Sequence, residues 1–388
     1  MKKVLKICCG EWRNASHDKR ELSVVRDLGA EVLVVAKGPV SGQEDEVDGF
    51  RVIRQSSRPL GGRVPAGLNR VTALFTWAAA VRKLNVDVIT GHDLSGLLIG
   101  WMSNFGKRRP AALVYDSHEY ELERAGKRSR LTRWCVGKLE CFLMKRSAFS
   151  VIPSGIAADE VQQIHKLRDR PVVVRNIPPY WQLDPAASAE VRQRMLAELN
   201  LPPDTFLVLY HGKITPDRGI ENLMRAVSGR KNTAAVILGN AEKQSYLDSL
   251  HALSAELGGH VLFHPAVPVE ELRNYIGATD ACTSLIQASC RSYYLSLPNK
   301  FFEAIQALTP VIASDFPEMG PIVRQYGIGI LTDPEDLDGI AAAIEKLRTD
   351  GDFYTACKEN LKRAKEELCW EKEKTALQSA YRTLLNSL

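Results

Sequence analysis

The segment His211-Gly212-Lys213-Ile214-Thr215-Pro216-Asp217-Arg218-Gly219-Ile220 leaves an apolar run through a glycine and sets two cations five residues apart before a helical stretch. Glycine lets backbone approach a ligand, the free N–H groups of a helix start face an anion, and Lys and Arg add formal charge. That combination suits a diphosphate; the alternative is a solvated turn with two surface cations. A second segment, Leu297-Pro298-Asn299-Lys300-Phe301-Phe302-Glu303-Ala304, puts Glu303 on an apolar-rich helix. Its carboxylate can accept hydrogen bonds from two hydroxyls, as on a ribose; the alternative is a first-turn glutamate favoured by the helix dipole. Two more groups, Gly91-His92-Asp93 and Tyr115-Asp116-Ser117-His118-Glu119, each follow an apolar run. Polar residues at adjacent strand ends suit a cleft, with His118 and His92 its candidate histidines. The alternative for either is a hydrogen-bonded strand-end histidine.

These residues need a scaffold, and the pattern supplies one. Short apolar runs, Lys3–Cys8, Glu31–Ala36, Phe50–Arg54, Val86–Thr90, Ala111–Tyr115 and Phe149–Ile152, alternate with helical stretches at Arg20–Leu28, Leu68–Leu84 and Arg130–Arg146. The same alternation restarts at Leu207–His211 and continues through Ala234–Leu238, Val261–Phe263, Ala281–Leu285 and Pro310–Ser314. This predicts an α/β chain with two doubly wound parallel sheets covered on both faces. The proline-rich stretch Pro178–Ala187 reads as the connection. We expect domains over 1–183 and 184–368, and a final amphipathic helix, 369–388. In open parallel sheets a ligand sits beyond the carboxyl ends of the strands, so a cleft between two such halves is the expected active site.

The order of motifs in the second half resembles the donor-nucleotide domain of glycosyltransferase family 4, which has the GT-B fold of two facing Rossmann-like domains. Gly212-Lys213 and Arg218-Gly219 match the basic pair on the donor diphosphate. Leu238-Gly239-Asn240 matches a strand end near the nucleotide, and Phe263-His264-Pro265-Ala266-Val267-Pro268 the segment whose backbone meets the base. Pro298-Asn299-Lys300-Phe301-Phe302-Glu303-Ala304 resembles the Glu-x7-Glu region. The resemblance spans most of the chain and is firmest over 205–332. It implies a retaining transfer of a sugar from a nucleotide-diphosphate sugar to a glycan or lipid-linked acceptor, as in capsule and lipopolysaccharide synthesis, with the last helix crossing back onto the first domain. It implies catalytic roles for His118, Lys213, Arg218 and Glu303, and donor binding by Gly212, Gly239, Asn240, Val267, Asn299 and Lys300. Arg20, His92, Asp93 and Glu119 are the expected acceptor-binding residues; Asp18-Lys19-Arg20-Glu21 resembles a helix opening in some capsule and lipopolysaccharide transferases, though most of that run reads as solvated helix face. One departure stands out: the first glutamate of the pair falls at Leu295. Ser292, Tyr293, Tyr294 and Ser296 are the local candidates for sugar recognition instead.

The 388 residues, 45% hydrophobic and 25% charged, exclude a disordered or fibrous chain. Eight cysteines include no C-x-x-C pair, as expected of buried thiols in a reducing compartment. The longest apolar run, Val71 to Val81, is too short for a bilayer, so a cytoplasmic location is expected. Asp336-Leu337-Asp338 follows Pro334 and reads as a helix cap rather than a metal motif. No metal-spaced cluster is visible, and neither a metal nor any other cofactor is expected. Residues 1–187 hold 30 Lys+Arg against 20 Asp+Glu, while residues 188–388 hold 21 against 26. Eight of the basic residues (Arg124, Lys127, Arg128, Arg130, Arg133, Lys138, Lys145 and Arg146) lie within 124–146, interleaved with Leu131, Trp134, Leu139, Phe142 and Leu143. Such a stretch suits peripheral docking on an anionic membrane surface; the alternative is a core-packing helix with a solvated basic face. Nucleic acid is not an expected partner, since no recognised motif accompanies the charge. Another GT-B enzyme, such as a nucleotide-sugar epimerase or a phosphorylase, or a partner protein that has lost catalysis, remain the other readings.

Overall fold

The computed structural model describes residues 1–12, 15–118, 120–123, 129–258 and 260–388, with no side-chain description at Leu122. The chain forms two units, Met1–Arg175 with Lys374–Leu388, and Asn176–Glu373.

The first unit holds β1 (Lys3–Cys8), β2 (Glu31–Lys37), β3 (Glu44–Val47), β4 (Phe50–Gln55), β5 (Val88–His92), β6 (Ala112–Asp116), β7 (Phe149–Ile152) and β8 (Val172–Val173). Their order is β3-β4-β2-β1-β5-β6-β7-β8. Neighbours are parallel, except that β3 turns back on β4 as an antiparallel edge. β1 lies between β2 and β5, so the strand order reverses there, and its carboxyl end opens a crevice.

The second unit holds β9 (Phe206–His211), β10 (Thr233–Leu238), β11 (Val261–His264), β12 (Ala281–Ser284), β13 (Val311–Ser314) and β14 (Gly329–Thr332), all parallel in the order β11-β10-β9-β12-β13-β14. Here the order reverses at β9, between β10 and β12. β9 and β10 are buried at every position, which is why they read as continuous apolar runs. Helices on both faces complete the two cores around this sheet, one including Phe301, Phe302 and Ile305, the other Ile220, Leu223 and Met224.

Three differences from the sequence reading have physical causes. The helix Asp93–Asn104 was not anticipated because its middle, Leu97 to Met102, is a near-continuous apolar run without a clear stripe. Gly96 and Gly100 let it lie flat on the sheet: a Cβ at Gly100 would stand 2.8 Å from Cγ2 of Ile89. The stretch Pro178–Ala187 belongs to the second unit: Ile177 and Trp181 enter its core, and Trp181 N donates to Gln306 Oε1 at 3.1 Å. Its second half opens the helix Pro185–Glu198, with Asp184 as cap and Pro185 in the first turn. The units therefore divide at Arg175/Asn176 and Glu373/Lys374, not at the expected 183/184 and 368/369. From Lys374 on, the last helix, Trp370–Ser387, belongs to the first unit, where the Tyr381 hydroxyl meets Thr90 Oγ1 at 2.7 Å.

Candidate active site

In the second unit all nine residues expected at the donor line one cavity of about 600 Å³: Gly212, Lys213, Arg218, Gly239, Asn240, Val267, Asn299, Lys300 and Glu303. The cavity sits beyond the carboxyl end of β9, at the reversal. Gly239 must be glycine, because a Cβ there would run into the carbonyl oxygen of Gly212. Gly219, with φ 73°, starts the helix Ile220–Val227 in the left-handed region. The neighbouring loop is fixed by Ile214 N donating to Asn240 O at 3.0 Å and by the Tyr210 hydroxyl donating to Lys213 O at 2.6 Å. Glu303 meets His211 Nε2 at 3.0 Å, a pairing that no local spacing signals because the two residues stand 92 positions apart.

The cations of this cavity differ. Lys213 is well exposed and paired with Glu242 at 2.7 Å. Arg218 stacks on the Tyr293 ring, and its Nη2 lies 3.3 Å from that hydroxyl. Lys300 is 8% exposed, and its Nζ has no hydrogen-bond partner among the described residues. It stands 3.7 Å from the centre of the Tyr210 ring. Burial, and next the Arg218 charge, hold its pKa well below the usual lysine value. The Glu303 charge partly offsets this; a buried lysine whose Nζ makes no hydrogen bond among the described residues still carries a free-energy cost that an anionic ligand would return.

The residues offered in place of a glutamate at 295 mostly turn elsewhere. Leu295 is buried, and the Ser296 hydroxyl donates to Tyr293 O at 2.7 Å. Tyr294 lines a separate cavity of about 540 Å³ with Asp217, Asp315, Asp333 and Glu335. Only Tyr293, through Arg218, touches the donor cavity's lining. Asp336 caps its helix by accepting from Gly339 N at 3.0 Å, as the sequence suggested.

In the first unit, His92 and His118 come together beyond β5 and β6 with ring centres 4.1 Å apart. Asp18 meets His92 Nδ1 at 2.9 Å, and Asp116 meets His118 Nε2 at 3.0 Å. Asp93, at φ 53°, accepts from the His118 backbone N–H at 3.1 Å. Behind them Lys6, fully buried in β1, bonds Asp18 at 2.7 Å, Glu21 at 3.0 Å, and Asp116. Burial alone would lower the Lys6 pKa, but Asp116, Asp18 and Glu21 outweigh it and hold the ammonium charged. The same contest leaves His118 raised to about 10: burial opposes its charge, and Asp116 above all favours it. Burial, and then Asp116, push Glu21 up to about 8.

This cluster corrects two expectations. Asp18 and Glu21 are not solvated helix face but 2% and 4% exposed. Ligand-type atoms also do converge: His17, Glu21, Asp116 and His118, and likewise Asp18, His92, Asp116 and His118, lie within 4.8 Å of one another. No sequence spacing shows this, because the members come from separate elements. The legible signal was Lys6 itself, a lysine in the middle of an apolar strand. Arg20 is half-buried on the helix Ser16–Asp27, and Glu119 lies outside the described residues, as do Arg124, Lys127 and Arg128.

The helix Arg130–Met144 is anchored by Leu143, Met144 and Glu140, the last accepting from the Tyr115 hydroxyl and meeting His165 Nε2, both at 3.0 Å. Its other side leaves Leu131 69% and Trp134 61% exposed among Arg130, Arg133 and Lys138. No helix among the described residues is long and apolar enough to cross a membrane.

Comparison with known proteins agrees with this architecture. Residues 191–364 match the family model described as glycosyl transferases group 1, and residues 22–178 that described as a glycosyl transferase 4-like domain. An uncharacterized glycosyltransferase of Methanocaldococcus jannaschii is 25% identical over 354 residues, covering 88% of this chain and 87% of that protein. The lipopolysaccharide core biosynthesis glycosyltransferase LpsE of Rhizobium meliloti is 28% identical over 193 residues, 49% of this chain and 53% of LpsE. Among solved structures, Anabaena HepE in complex with UDP-glucose superposes with a TM-score of 0.75 at 17% identity, over all of both chains. With one model on each unit and the fold shared over its whole length, the chain belongs to the GT4-type glycosyltransferases of the GT-B fold, enzymes that use a nucleotide-sugar donor.

Proposed function

We propose that the chain transfers a sugar from a nucleoside diphosphate sugar to a cell-envelope acceptor, a lipid-linked or capsular glycan, with retention of configuration and without a metal. The observation that carries the donor half is Lys300, a buried lysine whose Nζ has no hydrogen-bond partner among the described residues, in the cavity that also holds Arg218 and Glu303. Lys300 and Arg218 bind the diphosphate and stabilise its charge as it departs, where charge develops in the transition state. Lys213 supplies a third, exposed cation. Glu303, steadied by His211, binds the ribose hydroxyls. Gly212, Gly239, Asn240 and Val267 bring backbone to the nucleotide, and Asn299 lies at a helix start beside the phosphates.

His118 lies beside the reacting sugar in this reading, with His92, Asp93, Arg20 and Glu119 toward the acceptor. An imidazole held charged to about 10 donates hydrogen bonds at neutral pH and is a poor base. That favours front-face attack. The acceptor hydroxyl oxygen bonds to the sugar's anomeric carbon as the bond to the diphosphate breaks, and the hydroxyl proton passes to the departing phosphate oxygen. Lys6 and the charged His118 already balance Asp18 and Asp116, so no metal is assigned to them. The LpsE similarity and the exposed basic and apolar side of Arg130–Met144 favour an envelope acceptor at the inner face of the membrane.

The test is a calorimetric screen against UDP, GDP, ADP and their sugars, followed by product analysis with and without lipid-linked acceptors. A nucleotide-sugar that binds and yields an α-linked product from an α-linked donor supports the reading. No affinity for any nucleoside diphosphate, or turnover to an epimer without acceptor, overturns it.

A further inference from the structure

The cluster at the end of β1 is layered. Innermost is the Lys6 ammonium, fully buried in a strand held between β2 and β5. Next come Asp18 and Asp116, 2% and 1% exposed, each bonded to that ammonium. Outermost are the rings of His92 and His118, each side chain 21% exposed, tilted 36° to one another. In each aspartate one carboxylate oxygen meets both the ammonium and one imidazole: Asp18 Oδ1 meets Lys6 and His92, and Asp116 Oδ2 meets Lys6 and His118. We infer that Lys6 is a positioning residue for the transfer reaction: from inside the sheet its ammonium fixes Asp18 and Asp116, and through them the paired rings of His92 and His118 that meet substrate. The inference rests on the reading of His118 as a group beside the reacting sugar.

The other titratable groups around Lys6 do not replace it. Glu21, from the same helix as Asp18, also bonds Lys6 but holds neither ring of the pair, and with a value near 8 it is mostly protonated at neutral pH. His17 faces Glu21, and burial keeps it neutral. Cys8 lies 3.9 Å from Asp18, and burial pushes its thiol up to about 12. The Tyr381 hydroxyl, from the last helix, faces Lys6 and stays protonated. Asp93 faces the rings rather than Lys6. At neutral pH the charges of Lys6 and His118 therefore balance those of Asp18 and Asp116. Take away the ammonium, and two buried carboxylates share one imidazolium. One of them must take up a proton at a higher pH than before, and a protonated partner holds its ring less firmly.

The experiment is Lys6→Met in the full chain, with ¹³C-labelled aspartate and ¹⁵N-labelled histidine rings, followed by NMR from about pH 5 to about 9. In the wild type Asp18 and Asp116 stay ionised across this range. In Lys6→Met we expect one of them to titrate within it, and the ring signals of His92 or His118 to move with the same midpoint. Carboxylates that stay ionised, or rings that do not follow them, overturn the inference and leave Lys6 a purely structural cation. Chemical denaturation monitored at Trp12, buried in the first unit, checks that the variant is folded. Should it not fold, Lys6→Met with Glu21→Gln removes a carboxylate along with the cation, and the same shared midpoint is required. The reading of His118 is tested apart, by UDP release from UDP-glucose. His118→Ala with undiminished release sinks that reading. Lost release in His118→Ala with unchanged aspartate titration in Lys6→Met sinks the inference alone.

Discussion

Each unit buries a lysine at the strand where its sheet order reverses, Lys6 within β1 and Lys300 against Tyr210 of β9, and the two lysines are treated in opposite ways. Lys6 is bonded to three carboxyl groups; Lys300 has a tyrosine ring beneath it and no hydrogen-bond partner for its Nζ among the described residues. The first site is electrically complete without a ligand, so it can hold its rings ready at all times. The second is incomplete, and the missing charge describes its ligand. The pH signs follow. His118, raised to about 10, contributes stability in full below the ordinary histidine value, and that contribution is lost as pH rises through about 10. Glu21, raised to about 8, adds a cost as pH climbs from the ordinary carboxylate range to about 8. Lys300 runs the other way: its lowered value makes burial costly below the ordinary lysine range, and raising the pH relieves it.

The largest expected effect breaks the first site. Asp116→Asn strands Lys6 and His118 without their shared carboxylate, and breaking a buried pair of this kind costs about 3–5 kcal/mol. Chemical denaturation monitored at Trp12, buried in the first unit, measures it. A loss below about 1 kcal/mol, the level of a surface pair, would show that the cluster is not electrostatically closed.

Next comes the open site. Lys300→Met should weaken UDP binding by about 1.5–3 kcal/mol, the range for a hydrogen bond to a charged group. Lys213→Ala should cost less, because Lys213 is exposed and already paired. Titration calorimetry that ranked them in the reverse order would move the diphosphate from the buried cation to the exposed one.

A smaller effect sharpens the contrast. If Lys300, its pKa lowered by burial, gains a close counter-ion only on binding, UDP should bring proton uptake with it below the ordinary lysine range. Calorimetry in two buffers of different ionisation enthalpy reads this directly. Equal heats in both, or an uptake that persists in Lys300→Met, would remove Lys300 from the linkage.

The smallest concerns the surface of the first unit. Arg130→Ser and Arg133→Ser should each reduce binding to anionic vesicles by about fivefold at low salt, with UDP affinity unchanged. Sedimentation equal to wild type would leave the helix as a packing element with a solvated basic face.

Much of the second unit's site was legible because its residues stand close in sequence to the loops that carry them. Gly212, Lys213, Arg218 and Gly219 belong to one strand-to-helix turn, and Asn299, Lys300 and Glu303 to one helix. Local pattern fixes such turns, since a strand end, a left-handed glycine and a helix start are short-range choices. What the pattern could not tell was that Lys300 lies buried and alone while Lys213 faces solvent. The helix Asp93–Asn104 escaped notice for a related reason, since the continuous apolar run at its middle has no period to read.

By itself the amino-acid sequence determined two parallel sheets, the glycines that let loops close on a ligand, and the chemical types at the strand ends, because all of these are set within a few residues of chain. Only the tertiary structure decided which charges share a dielectric. Lys6, Asp18, His92, Asp116, His118 and Tyr381 come from five separate regions of the chain, and the Thr90–Tyr381 contact alone bridges 291 positions. Burial sets the strength of a charge interaction, and burial belongs to the packed sheet rather than to any segment.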